Sequence, residues 1–83
     1  MSFHENLRYY RQKKGYSVKY ISNLLGITPN TYAGYEIRGR EPKYKTLRKL
    51  SDILDVSIDE LIRREEYKFG NYILNLLNKE NEK

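Results

Sequence analysis

Arg38, Arg40, Lys43 and Lys45 fall within eight consecutive residues and close a basic first half of the chain. Up to residue 45, nine Lys and Arg oppose three Asp and Glu, a balance of +6; residues 46–83 hold seven against eight, a balance of −1. A cluster of this kind does electrostatic chemistry. It neutralises the charges of a polyanion and releases their counterions, with no bond made or broken. A basic surface that is merely solvated carries the same charge, so charge alone leaves both readings open.

The groups that catalysis needs are sparse. His4 is the lone histidine and there is no cysteine, so there is no thiolate nucleophile, no disulfide and no Cys-based zinc site. His4 is expected to face solvent or cap a helix. Asp52 with Asp55, and Glu65 with Glu66, pair carboxylates on polar helix faces and read as solvated charges. Arg63-Arg64 reads as a surface pair near a helix C-terminus, where cations are favoured. Glycine-rich phosphate loops and zinc-ligand spacings are missing from the sequence. No catalytic residue, metal or cofactor is expected, and no small-molecule effector is evident.

The elements that must carry the basic cluster are helices. Every apolar stretch repeats at three and four residues and none alternates, which predicts an all-α fold. Between Ser17 and Tyr35 the punctuation is dense. Ser17 opens one helix and Gly26 closes it; Thr28 opens the next with Pro29 at its first position. Two helices joined by three or four residues with a glycine at the corner have the layout of a DNA-binding helix-turn-helix.

Around this pair, Phe3, Leu7 and Tyr10 stripe a first helix from a Ser2 cap to about Lys14, with Gly15 as its stop. Ile21, Leu24 and Leu25 stripe the second helix, Tyr32 and Tyr35 the third. Gly39 and Pro42 oppose helix in the loop Ile37–Pro42. Leu47, Leu50, Ile53 and Leu54 stripe a fourth. Ser57 and Glu60 have capping-box spacing and start a fifth, through Leu61 and Ile62. The expected architecture is a compact five-helix bundle over residues 1–64. Residues 65–83 read as a sixth, amphipathic helix and tail, with Phe69, Tyr72, Ile73, Leu76 and Leu77 on one face. That helix either folds back on the bundle or zips to a second copy. Dimer formation is the expectation, because the five-helix unit looks complete without it.

At 83 residues the chain reads as one domain with just enough length for a single core. Its nine tyrosines fall mostly at helical core spacing and are expected to pack as large residues with a polar tip. No apolar run approaches the roughly eighteen residues needed to span a bilayer, and the polar start lacks the order of a signal peptide. A cytoplasmic protein with no membrane partner is expected.

The residues Leu7-Arg8-x-x-Arg11, Gly15-x-Ser17, Ile21-Ser-x-Leu-Leu-Gly26-Ile-Thr28, Tyr35-Glu36, Arg40-Glu41-Pro42 and Leu54-x-Val56-Ser57-x-Asp59-Glu60-Leu61 carry a resemblance. Together they resemble the Cro/repressor type of helix-turn-helix domain, also called the xenobiotic-response-element type. Order, spacing and punctuation agree over about residues 7–62. The resemblance implies a lambda-repressor-like fold that binds double-stranded operator DNA, usually as a homodimer, with the third helix in the major groove. It also implies a structural ion pair between Arg11 and Glu36; independently, a lone Glu ending an apolar helix needs a cation.

Carried over by position, the resemblance assigns the third helix's exposed early positions to Pro29, Asn30, Ala33 and Gly34. Asn30 is able to pair bidentately with adenine and Ala33 to touch a thymine methyl. Thr31, beside the Thr28 cap, reaches a phosphate or a base edge. Phosphate contacts come from Ser17, the Val18 backbone and Lys19 at the start of the second helix, and from Arg38, Arg40, Lys43 and Lys45. Three positions depart from the family. Val18 stands where Gln is common, Gly34 where a long polar side chain is common, and Ile37 where a polar residue is usual. Specificity is then expected to rest on Asn30, apolar contacts, the Arg38–Arg40 loop and DNA shape.

The leading functional expectation is a small sequence-specific transcription regulator, a repressor dimeric on a palindromic operator. The alternative is a protein-interaction or antitoxin-like module on the same fold, docking through Tyr9, Tyr20 and Tyr44.

Overall fold

The computed structural model describes residues 2–63, and among them the only regular elements are five helices. They are α1 (Phe3–Lys13), α2 (Val18–Leu25), α3 (Pro29–Ile37), α4 (Tyr44–Leu54) and α5 (Ile58–Ile62). The expected sixth helix and tail over residues 65–83 lie outside the described residues. None of the described helices is long and apolar enough to cross a membrane.

Local chemistry sets each boundary. Ser2, Ser17, Thr28 and Ser57 sit in extended conformation ahead of α1, α2, α3 and α5, and each side-chain oxygen accepts from the N–H three residues on. At Ser2 and at Ser57 the box is closed reciprocally, by Glu5 and Glu60. Gly26 ends α2 at φ 72°, a left-handed conformation open to glycine without a Cβ penalty. Asp55 ends α4 in the same region at φ 55°, the one non-glycine there among the described residues. Alone among the five, α4 has no side-chain cap, because its N-cap residue is Lys43.

Leu7, Ile21, Leu25, Tyr32, Leu50, Leu54 and Leu61 form the buried core, with one or two residues contributed by every helix. α3 packs against α1 and α2, α4 against α2 and α5, and α5 returns to α1. Asn6 is buried too, an inward polar residue that its type does not announce. Its side-chain amide donates to the carbonyls of Leu61 and Arg63, fastening α1 to the end of α5.

One expectation about packing is corrected. Leu24 is exposed, and Ser22 takes the inward place. Val18, Ile21, Ser22 and Leu25 recur at the three- and four-residue spacing of one face, which Leu24 leaves, and the Ser22 hydroxyl is satisfied by the Val18 carbonyl at 2.6 Å. The described tyrosines divide as expected, most of them inward. Tyr32 is fully buried and Tyr10, Tyr16 and Tyr35 partly so, but Tyr9, Tyr20 and Tyr44 face solvent. Tyr9 rests on Tyr10 and Tyr20 on Tyr16, so the outer rings cover inner ones.

Candidate nucleic-acid interface

Three features are candidates for the interface: the outward stripe of α3, the start of α2, and the basic loop leading into α4, whose Arg38 and Arg40 side chains lie along α3. The stripe is positioned from behind. Tyr32 and Glu36, one turn apart, point into the core, and the Tyr32 hydroxyl donates to the Glu36 carboxylate. Arg11 on α1 grips the same carboxylate through Nε at 2.7 Å and Nη2 at 3.1 Å, and its Nη1 donates to the Tyr16 carbonyl. Arg8 approaches Glu36 from the rim at 3.7 Å. The Glu36 carboxylate is thus surrounded by donors, as a buried charge requires. The pair raises the Arg11 pKa through its hydrogen bond to Glu36.

His4 adds a second brace at the same end of α3. Its ring Nδ1 lies 2.6 Å from the Tyr35 carbonyl, one of the four that a helix C-terminus leaves without a helical partner. The expectation of a solvent-facing or capping histidine resolves as a cap, on a helix distant in sequence from its own. Nothing in the spacing of a lone histidine could have told this.

Outward positions follow by rotation. Pro29 and Asn30 are exposed, Thr31 and Ala33 half-buried. Thr31 shares a hydrogen bond with the Thr28 hydroxyl at 2.9 Å, so both side chains are engaged at the helix start. Gly34 corrects the sequence reading: it is buried rather than exposed. The cover is two arginine side chains. A Cβ at position 34 would meet Arg38 Nη2 at 3.3 Å and Arg40 Cδ at 3.3 Å. The chain reverses at Gly39, φ 72°, and the Arg38 and Arg40 N–H groups both return to the Gly34 carbonyl.

The loop and helix starts supply charge. Arg38, Arg40, Lys43 and Lys45 are all exposed, as is Lys19 at the start of α2. Ser17 is exposed and caps Tyr20 N–H at 3.0 Å; Val18 packs its side chain against the core, leaving its backbone N–H at the positive helix end. Lys43 and Lys45 flank the positive end of α4, a placement that the helix dipole disfavours unless an anion joins them. Among the described residues no group of three or more His, Cys, Asp or Glu could hold a metal.

This architecture, two capped helices crossing at a left-handed glycine with the second braced from α1, defines a class. The helix-turn-helix family model matches residues 7–61, and the chain belongs to that family. Five curated proteins match, named as transcriptional regulators or, in one case, as a transcriptional repressor. The HTH-type transcriptional regulator AnsR of Bacillus subtilis (strain 168) is 47% identical over 58 residues, covering 70% of this chain and 50% of that protein. The chain thus spans about half the length of that relative. A transcriptional regulator from Listeria innocua has a similar solved structure, TM-score 0.68 and 26% identity over 90% of this chain and 75% of its own. A structure of iron(II) HppE in complex with substrate also reaches TM-score 0.68, at 31% identity over 74% of this chain, but only 35% of that chain takes part. A likeness confined to a third of an enzyme speaks for a shared helical module and not for shared chemistry.

Proposed function

We propose that the protein is a sequence-specific regulator that occupies double-stranded DNA and represses transcription by that occupancy. What supports this reading is membership of the helix-turn-helix family together with the exposed Asn30 on α3 and the Arg38 and Arg40 side chains that lie along the same helix. A helix of this size fits the major groove, and two helix N-termini flanked by lysines suit the phosphates on either side. Asn30 is the amide within reach of an adenine edge. Ser17, the Val18 N–H, Lys19, Arg40, Lys43 and Lys45 set register on the backbone. Thr28, Pro29, Thr31 and Ala33 shape the leading turn of α3. Repression asks least of such a surface, since a bound duplex is already closed to other proteins.

In the same proposal the protein acts as a homodimer on a palindromic operator, joined through residues 65–83. The support is the apolar spacing of Phe69, Tyr72, Ile73, Leu76 and Leu77, together with the geometric need of one recognition helix per half-site.

A salt titration of binding to random and selected duplexes tests the reading. Affinity should fall steeply as salt rises, with a log–log slope that counts the phosphates neutralised. A flat response, or no binding at low salt, would move the assignment to a protein-docking module.

A further inference from the structure

Gly34 stands on the outward stripe of α3 with Asn30, Ala33 and Ile37, yet it is covered. Ordinarily a groove-facing helix spends such a position on a side chain of its own. Here the space is filled from the end of the helix. The Arg38 side chain turns back along α3, and its Nη2 donates to the Asn30 carbonyl at 2.6 Å. That carbonyl is in the helix interior and already has its helical partner, so the guanidinium takes its second lone pair. Arg40 lies alongside, over the same glycine.

We propose that Arg38 is a specificity-determining residue: its guanidinium, laid in the slot left by Gly34 and fixed by the Asn30 carbonyl, reads the O6/N7 edge of a guanine. This rests on the DNA-binding reading above and reassigns Arg38 from the phosphate backbone to the bases. Three observations favour it. First, the guanidinium is drawn back onto the stripe that carries Asn30, whereas an arginine serving phosphates would extend from the loop. Second, one Nη2 bond uses a single donor and leaves the rest of the planar fork for a bidentate acceptor. Third, a guanidinium held before binding loses less freedom on contact, which is the advantage of preorganisation. The position where the chain lacks a long polar side chain is therefore served by one from a turn later. Gly34 is what permits it.

The experiment uses the full chain. An operator is selected from random duplex, each base pair is varied singly, and the wild type is compared with Arg38→Lys, Arg38→Ala and Gly34→Ala. Arg38→Lys keeps the charge and loses the fork. It should lose about ten- to hundredfold at one G·C pair while binding to non-specific duplex changes less than about twofold. Gly34→Ala inserts a methyl 3.3 Å from both Arg38 Nη2 and Arg40 Cδ, close enough that the guanidinium must shift from its seat. It should relax preference at that same base pair while leaving the helical circular dichroism intact. Uniform weakening of all duplexes by Arg38→Ala, with the salt slope lowered by about one, would make Arg38 a phosphate contact and overturn the inference while leaving the regulator reading in place. Absence of any duplex binding by the wild type at low salt would overturn both.

Discussion

The Arg11 guanidinium and the Glu36 carboxylate meet at 2.7 Å across 25 residues of sequence, with side chains that are 13% and 4% exposed. The pair joins α1 to the last turn of α3 and so fixes the angle at which the outward stripe is offered. Removing one partner strands the other charge in a poorly solvated site. Arg11→Ala or Glu36→Ala should therefore cost about 3–5 kcal/mol in urea unfolding. Arg8→Ala, which removes a half-exposed charge 3.7 Å away, should cost no more than about 1 kcal/mol. Equal losses at Arg8 and Arg11 would mean that the network does not depend on burial.

Tyr32 shares that carboxylate, and its titration has a sign that can be checked. Burial first, and the neighbouring Glu36 second, push the Tyr32 phenol well above its ordinary value of 10.0. The folded state then holds this proton more tightly than the unfolded chain. Stability from Tyr32 is complete below pH 10 and is lost as pH rises beyond it. Tyr32→Phe has no such proton. The wild type should be the more stable of the two near neutral pH, by about 1.5–3 kcal/mol for a hydrogen bond to a charged group. Its advantage should shrink steadily in alkali. Tyr10, also raised by burial, is common to both proteins and cancels. Thermal melts of both proteins from pH 8 to 11 measure the difference, and parallel curves would refute it.

How much of this was legible beforehand depends on the range of the interaction. Capping residues act on the turn beside them, so Ser2, Ser17, Thr28 and Ser57 could be read from spacing alone, and four helix starts followed. That Glu36 needs a cation was also legible, because a carboxylate ending an apolar helix demands one; that the cation is Arg11 was implied by the family resemblance. Asn6, His4 and Ser22 were not. Each is a polar residue held inside the fold by a hydrogen bond to a backbone carbonyl, for Asn6 and His4 one distant in sequence, and no local pattern records which distant carbonyl will be near. Gly34 failed for a related reason. Helical rotation correctly placed it outward, but its burial comes from side chains that begin four and six residues later and fold back.

Asn30 and Arg40 separate the two kinds of contact. Asn30→Ala should cost about 1–3 kcal/mol on the preferred operator and relax preference at one base pair. Its backbone carbonyl survives the change, so the Arg38 hold should persist. Arg40→Ala should weaken every duplex alike and lower the salt slope. Fluorescence anisotropy on matched and single-variant duplexes reads both effects. If both variants weaken all duplexes uniformly, Asn30 is not a base contact.

Lys43 exposes a conflict between folding and binding. At the N-cap of α4 it makes no side-chain cap bond, and its charge opposes the positive end of the helix dipole. Ser, found at three of the other N-caps, would accept an N–H there and relieve the repulsion. Lys43→Ser should therefore raise stability by about 1 kcal/mol, seen as a higher urea midpoint at unchanged slope. If the lysine is kept for a phosphate, the same variant should bind duplex DNA more weakly at low salt, with the log–log salt slope smaller by about one. The two measurements must move in opposite directions. A variant that gains stability and binds DNA as before would remove Lys43, and with it the start of α4, from the interface.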